Sequence, residues 1–297
     1  MDDCQKWNNQ PEIPEFVIER DDEPRAVPAS PVRCRRWLRR VAKALAVMLL
    51  VLAAIGVYKK WAYYYRLGVP VSVSPQENIE KLRKPLAPEL PAVVLTTETV
   101  LDVEFDMLAL HGLKASIEFA EPDTADTSVY LYSRSADVGA DSVCLGSLVA
   151  QGRQMCDDRS RLGYVGMVGR NMVIGVSRMD AVKDYVLEHG GSFFRQFILV
   201  SNGTIPGVYY LHGKVERRAI GRIGDQLYYI VSRNKETFWG FADALREYGF
   251  IDAIYITGGD DYCFYRTADG QRHDIGDPAD YPHLRWQGKV PLLVFRK

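Results

Sequence analysis

One uncharged apolar run divides this chain into two unequal parts. Residues 44–58 read ALAVMLLVLAAIGVY and carry no charge. The run is shorter than the roughly 20 residues of a full span, but lysines and aromatic residues on its flanks suit the boundary between lipid and water. About 40 mostly polar residues precede it, which disfavours a cleaved signal peptide. We therefore predict a transmembrane anchor over residues 41–62. A buried core helix and a signal peptide are the alternatives.

Charge on either side of the run predicts its orientation. Arginines are concentrated on the N-terminal side, and positive charge is retained in the cytoplasm. Residues 1–40 contain eight acidic residues, several prolines and little apolar content, which predicts a disordered cytoplasmic tail. Residues 63–91 are expected to be a linker with one short helix at residues 76–84. The main domain is expected outside the cytoplasm, in a periplasm or a lumen, and the lipid bilayer is the predicted partner of the anchor.

The overall charge and the cysteines exclude some classes of function. The net charge of −1 comes from 37 basic and 38 acidic residues, so no nucleic-acid partner is expected. The five cysteines form no CxxC pair and no cysteine–histidine spacing of a zinc site. We expect no cofactor, although the adjacent Asp260 and Asp261 leave a divalent cation such as calcium open. Cys144 and Cys156 either form a disulfide or, like Cys263, are buried thiols, and buried thiols are favoured.

Residues 92–297 have the pattern of a strand-rich domain. Short β-branched and aromatic segments alternate with polar turns, which predicts an α+β fold with a mixed, strand-rich sheet and a few helices. Helices are predicted at 180–188 and 237–248. The apolar segment FFRQFILV at 193–200 predicts one buried strand, followed by an Asn202-Gly203 turn.

The stretch 251–266, IDAIYITGGDDYCFYR, combines a buried strand with a glycine pair and two carboxylates. Paired glycines allow a positive φ and let a ligand approach the backbone closely. The strand end is therefore either the frame of a site or a plain hairpin turn, because aspartate is also common in turns.

Three segments in a fixed order resemble the phosphodiester glycosidase family. They are FILVSNGTIP at 197–206, RRAIG at 217–221, and TFWGFADALREYGFIDAIYITGG at 237–259. The resemblance covers about the last 100 residues. The family has an asparagine and an aspartate before the glycine pair, where this chain has Tyr255 and Thr257. If that aspartate assists catalysis in the family, this chain must use Asp260 or Asp261 instead, or lack the activity.

The resemblance implies a glycosidase-like domain over residues 92–297 and a membrane-anchored hydrolase that cleaves a glycosyl phosphodiester, such as one in an envelope glycan. Such a substrate needs cationic donors for the phosphate and a carboxyl or imidazole for proton transfer. The catalytic candidates are Asp260, Asp261 and His212. The substrate-binding candidates are Arg217, Arg218, Arg222, Asn202, Gly258 and Gly259. The alternative function is a non-catalytic domain of the same fold that binds a glycan or an envelope partner.

Overall fold

The computed structural model describes most of the 297-residue chain. The described residues are 31–65 (side chains for 37–59), 74–123, 125–135, 145–158, 161–206, 213–259, 261–277 and 290–297. The chain divides into two compact units, Met1–Gly56 and Val57–Lys297.

The first unit contributes most of one long helix, α1 (Pro31–Tyr65). Its segment Trp37–Lys59 is long and apolar enough to cross a membrane, and none of the apolar window is buried by the rest of the protein. Apolar side chains on all sides of an exposed helix are typical of a segment surrounded by lipid. A membrane anchor and a signal sequence share this length and composition.

The second unit contains three more helices and sixteen strands among its described residues. The helices are α2 (Pro75–Arg83), α3 (Ala181–Glu188) and α4 (Phe238–Tyr248). The strands are β1 (Ala92–Val100), β2 (Val103–His111), β3 (Lys114–Glu118), β4 (Val129–Arg134), β5 (Leu148–Ala150), β6 (Arg153–Cys156), β7 (Gly163–Val168), β8 (Asn171–Val176), β9 (Ser192–Gln196), β10 (Ile198–Val200), β11 (Arg217–Ile223), β12 (Gln226–Ser232), β13 (Asp252–Gly258), β14 (Cys263–Arg266), β15 (Arg272–Ile275) and β16 (Leu292–Arg296).

These strands form three antiparallel sheets. The strand orders are β1-β2-β12-β11-β13-β10, β15-β14-β4-β16-β3 and β6-β5-β9-β7-β8. One cluster of buried side chains contains residues from all three sheets, among them Leu108, Val165 and Leu293. The domain is therefore held together by burial of the inner faces of the sheets. The predicted strand-rich α+β fold with a few helices is confirmed.

The prediction of one strand over residues 193–200 is wrong. The segment forms β9 and β10, which belong to different sheets, with the break at Phe197. The side-chain Oε1 of Gln196 accepts the Phe197 N–H at 2.9 Å, and the Phe197 carbonyl accepts the Tyr255 N–H at 2.9 Å. The chain changes sheets here because a side chain takes over one backbone hydrogen bond of the ladder.

Helix α2 belongs to the domain, whereas the sequence predicted a linker over residues 63–91. Ile79 and Leu82, three residues apart on one helix face, are buried. Asn78, also buried, donates to the Tyr164 hydroxyl at 2.7 Å. The linker prediction is corrected for this segment, because α2 buries one apolar face against the domain.

Helix α4 begins and ends as the sequence indicates. Thr237 Oγ1 accepts the Gly240 N–H at 2.9 Å, and Gly249, just past the last turn, has a φ of 111°. Phe241 and Leu245 are fully buried against side chains of the six-stranded sheet. The helix therefore fixes the position of the segment that leads into β13.

Replacing Thr237 with alanine is expected to destabilise the domain by about 1 kcal/mol, because the first turn loses its side-chain acceptor. In a domain of this size the melting temperature should fall by about 2–4 °C. Circular dichroism of the full chain in detergent measures the change. Thr237→Ser keeps the hydroxyl and should melt close to the wild type, so an equal loss in both variants would contradict the capping role.

Candidate active site

The candidate site lies at the end of β13, where the register with β11 is irregular. Arg218 is opposite Thr257, but the next residue, Ala219, is opposite Tyr255. Ile256 is therefore the extra residue of a β-bulge. Bulges bend a strand and redirect its side chains, and they are common beside active sites. Here the irregularity falls beside the two buried polar side chains of Arg218 and Thr257.

Each of the two glycines after the bulge is required for a different structural reason. A Cβ on Gly258 would lie 2.8 Å from the Glu216 carbonyl oxygen, so no larger residue fits without movement. Gly259 has a φ of 88°, a conformation that other residues avoid. Its N–H donates to the same Glu216 carbonyl at 3.0 Å. The pair turns the chain sharply, and the segment that follows contributes Asp261 to the site.

Asp261 is the centre of a buried cluster of charged side chains. Its Oδ2 accepts a hydrogen bond from Thr257 Oγ1 at 2.7 Å. The same oxygen lies 3.9 Å from Arg218 Nη1 and 4.0 Å from Arg134 Nη1. Arg218 Nη2 also donates to the Asp261 backbone carbonyl. Two guanidinium groups therefore surround one carboxylate, and the cluster carries a net positive charge.

The guanidinium of Arg218 has unused hydrogen-bonding capacity. Its side chain is fully buried, yet Nε and Nη1 have no hydrogen-bond partner among the described residues, and the same holds for Nε of Arg134. Buried polar nitrogens are normally hydrogen-bonded. Burial opposes the charge on Arg218, but Tyr229, Cys263 and Asp261 raise its pKa on balance, so the group stays cationic. The N–H groups of these two guanidiniums that have no described hydrogen-bond partner can therefore bind an anionic oxygen.

Tyr229 and Cys263 lie close to Arg218, and Ser133 contacts Tyr229. The hydroxyl oxygens of Tyr229 and Ser133 are 2.6 Å apart. Burial raises the pKa of Tyr229 well above its usual value and also raises the pKa of the Cys263 thiol, so both groups are neutral at physiological pH. The sequence did not identify Ser133 or Tyr229 as site residues, because their strands are far apart in the chain and meet only in the folded domain.

Arg217 has a different environment from its neighbour. Its Nε donates to the Glu236 carbonyl and its Nη2 to the Gly213 carbonyl, each at 3.0 Å. The guanidinium also lies over the Phe238 ring, 5.4 Å from the ring centre. These contacts connect β11 to the segment around α4. Adjacent residues of a strand point to opposite faces, so Arg217 and Arg218 do not share one pocket.

Two other substrate-binding candidates lie at the opposite end of β13. Arg222 Nη2 donates to Asp252 Oδ2 at 2.8 Å, and the Asn202 N–H donates to Asp252 Oδ1 at 3.1 Å. Asp252 begins β13 and Thr257 lies near its end, about 16 Å away along the strand. The fold does not bring Arg222 or Asn202 together with Asp261.

Two catalytic candidates, His212 and Asp260, lie outside the described residues, as does Cys144. Within the described ranges there is no group of three or more histidine, cysteine, aspartate or glutamate side chains that could hold a metal ion. The residues that the structure does bring together are Arg134, Arg218, Thr257, Gly258, Gly259 and Asp261.

Comparison with known proteins identifies the fold. No protein-family model matches the sequence, and a search of the curated proteins finds no match. The catalytic domain of zebrafish N-acetylglucosamine-1-phosphodiester alpha-N-acetylglucosaminidase, auto-inhibited by its pro-peptide, superposes with a TM-score of 0.50 and 13% identity over 73% of this chain and 86% of that one. A hypothetical protein from Synechocystis gives a TM-score of 0.51 and 10% identity over 71% of this chain and 64% of that one. The domain therefore has a phosphodiester glycosidase-like fold.

Proposed function

We propose that the domain is a membrane-anchored hydrolase that cleaves a glycosyl phosphodiester outside the cytoplasm. One observation carries the proposal. The end of β13 holds a carboxylate between two guanidinium groups, in a fold similar to that of a phosphodiester glycosidase. The substrate class, the catalysis and the orientation of the anchor are all part of this proposal.

The phosphate is assigned to Arg218 and Arg134. Guanidinium groups bind phosphate oxygens through paired N–H donors. The nitrogens without a described hydrogen-bond partner, Nε and Nη1 of Arg218 and Nε of Arg134, supply that capacity. Asp261 neutralises only one of the two charges, so a phosphodiester monoanion would bring the cluster to neutrality.

Proton transfer is assigned to Asp261. In the proposed reaction, water attacks the anomeric carbon and the bond between that carbon and the phosphate oxygen breaks. The leaving phosphate takes the electron pair, and the proton of the attacking water passes to the Asp261 carboxylate. The family resemblance places an aspartate at the position of Thr257, and Thr257 Oγ1 is 2.7 Å from the Asp261 carboxylate. Asp261 thus brings a carboxylate next to the position at which the family has one.

The proposed location of the domain is supported by α1. The segment Trp37–Lys59 has the composition of a membrane span. The arginine cluster before it favours a cytoplasmic N-terminus, and on that basis we propose that the domain lies outside the cytoplasm. Its substrates would then be glycans of the envelope or the lumen.

The proposal is tested with full-length protein in detergent and a panel of glycosyl phosphodiesters that differ in the sugar and in the second phosphate substituent. We expect release of the free sugar and of a phosphate monoester from at least one member, detected by chromatography. Cleavage of the other phosphate ester bond, which would leave a sugar phosphate, would contradict the proposed reaction.

A non-catalytic binding function is the second candidate, and one observation favours it. Asp261 is only 4% exposed and is already hydrogen-bonded to Thr257. A buried carboxylate with these contacts is also compatible with a purely structural role, in which it positions the two arginines of an anion-binding site. Saturable binding of a glycosyl phosphodiester by calorimetry, with no turnover of any panel member, would support this candidate over the hydrolase.

A further inference from the structure

A second candidate binding site lies at the other end of β11 and β12 from Asp261. A groove with a volume of about 580 Å³ lies between the segment that follows α2 and the β11–β12 turn. This volume is within the range of about 300–1,000 Å³ found for small-molecule sites. Most of its lining is apolar, including Leu86, Leu110, Leu113, Met172, Leu227 and Phe295.

A smaller, more polar cavity adjoins the apolar groove. Its volume is about 270 Å³, and it shares Leu86, Arg170, Met172, Asp225 and Leu227 with the larger one. Its lining also includes three further cations, Lys81, Lys84 and Arg222. The two cavities together form one site with an apolar part and a basic part.

The basic part keeps an excess of positive charge. Lys81 pairs with Glu77 at 3.2 Å, and Arg222 is neutralised by Asp252. Arg170, in contrast, donates to two neutral acceptors, the carbonyls of Leu86 and Ala87, at 3.0 and 2.8 Å.

Lys84 is exposed and forms no ion pair with a described carboxylate. The acids that line the cavities are Asp225, which is common to both, and Glu89, which is bound to His111 at 2.7 Å and interacts electrostatically with Arg170. In the combined lining, four cations face two acids. An anionic group is therefore the complement of this end.

The segment over the groove leaves the groove unfilled. Leu86 is 49% exposed and Leu90 is 86% exposed. The segment is held mainly by hydrogen bonds, including those from Asn171 Nδ2 to the Leu82 and Lys84 carbonyls at 2.7 and 2.9 Å. Because few apolar contacts fix it, a ligand can occupy the groove without disrupting the core.

We propose that this site binds a single-chain lipid with a phosphate head group. The acyl chain occupies the apolar groove, and the phosphate lies between Arg170 and Lys84. The site is formed in part by α2, the first helix described after the candidate membrane span. It lies about 20 Å from the proposed catalytic end along the seven residues of β11. The proposal therefore does not depend on the hydrolase activity.

Photolabelling of the full chain in phosphatidylcholine vesicles tests the proposal. The probe is a lysophosphatidic acid with a diazirine at the end of its acyl chain, and the neutral comparison is a monoacylglycerol with the same chain. We expect the anionic probe to label peptides containing residues 86–90, 110–113 and 170–172, about tenfold more than the neutral probe does. Labelling of α1 serves as an internal reference for lipid exposure.

Two variants locate the probe. Met172→Trp fills the groove, and Lys84→Glu reverses an exposed charge without altering the core. Each variant should remove most of the label from the groove peptides and leave the labelling of α1 unchanged. Lys235→Glu, an exposed lysine near the start of α4, is the matched control and should label as the wild type does. Label confined to α1, equal labelling by the neutral probe, or no effect of Lys84→Glu would each overturn the proposal.

Discussion

The Asp261→Asn variant is expected to hydrolyse a glycosyl phosphodiester about a hundredfold to ten-thousandfold more slowly than the wild type, the range that a positioned acid–base group contributes. The fold should persist, because the asparagine Oδ1 can still accept the hydrogen bond from Thr257 Oγ1. The measurement is kcat on the panel member with the highest turnover, together with the melting temperature of each variant.

Two other carboxylates serve as controls for this variant. Asp252→Asn changes a buried carboxylate at the opposite end of the same strand, where its partners are Arg222 and Asn202. It should leave kcat close to the wild-type value, even if it melts at a lower temperature. Asp260→Asn tests the neighbouring aspartate of the sequence motif. A large loss of kcat in Asp260→Asn with little loss in Asp261→Asn would show that our proposal assigns proton transfer to the wrong residue.

The Arg218→Met variant is expected to destabilise the domain by about 3 kcal/mol, near the lower end of the cost of breaking a buried ion pair. Methionine fills the space but leaves Asp261 with only one guanidinium, that of Arg134 at 4.0 Å. For a domain of this size the melting temperature should fall by about 6–12 °C. Substrate binding should also weaken, because the phosphate loses its buried donor.

A double-mutant cycle separates the ion pair from other effects of removing Arg218. In the Asp261→Asn background the cluster has lost its described carboxylate, so Arg218→Met should cost about 1–2 kcal/mol less there, within the range for contacting residues. Arg217→Met is the comparison on the same strand, since that guanidinium donates to carbonyls and forms no ion pair within the part of the chain that the structure describes. Additive losses for Arg218 and Asp261 would contradict the importance of the pair.

Local features of the fold could be predicted from the sequence. The boundaries of α4 follow from Thr237 and Gly249, a helix start and stop pair. The Asn202-Gly203 turn has positive φ at both residues, as such a turn requires. The break at Phe197 could not be predicted, because an uninterrupted apolar segment has the same pattern in one strand as in two.

The site itself was only partly predictable. The strand end, the glycine pair and the two arginines at the start of β11 are visible in the sequence. The separation of Arg217 from Arg218 depends on which strand face is buried, and the distance of Arg222 and Asn202 from Asp261 depends on antiparallel pairing. Arg134 reaches Asp261 because β4 pairs with β14, a contact between residues more than 100 positions apart, and no local pattern encodes it.

The change of sheets at Phe197 has a consequence for the motions of the domain. Strands β9 and β10 are consecutive, so two sheets share one covalent segment, and Phe197 is itself hydrogen-bonded to Tyr255 of β13. Separating the two sheets at this point would break the hydrogen bond from the Tyr255 N–H to the Phe197 carbonyl. We therefore expect the two sheets to open as one cooperative unit in hydrogen exchange. The bulge beside Arg218 lies on β11 and β13 of the same sheet, so we expect its amides to be protected with that unit, as a site with preorganised donors requires.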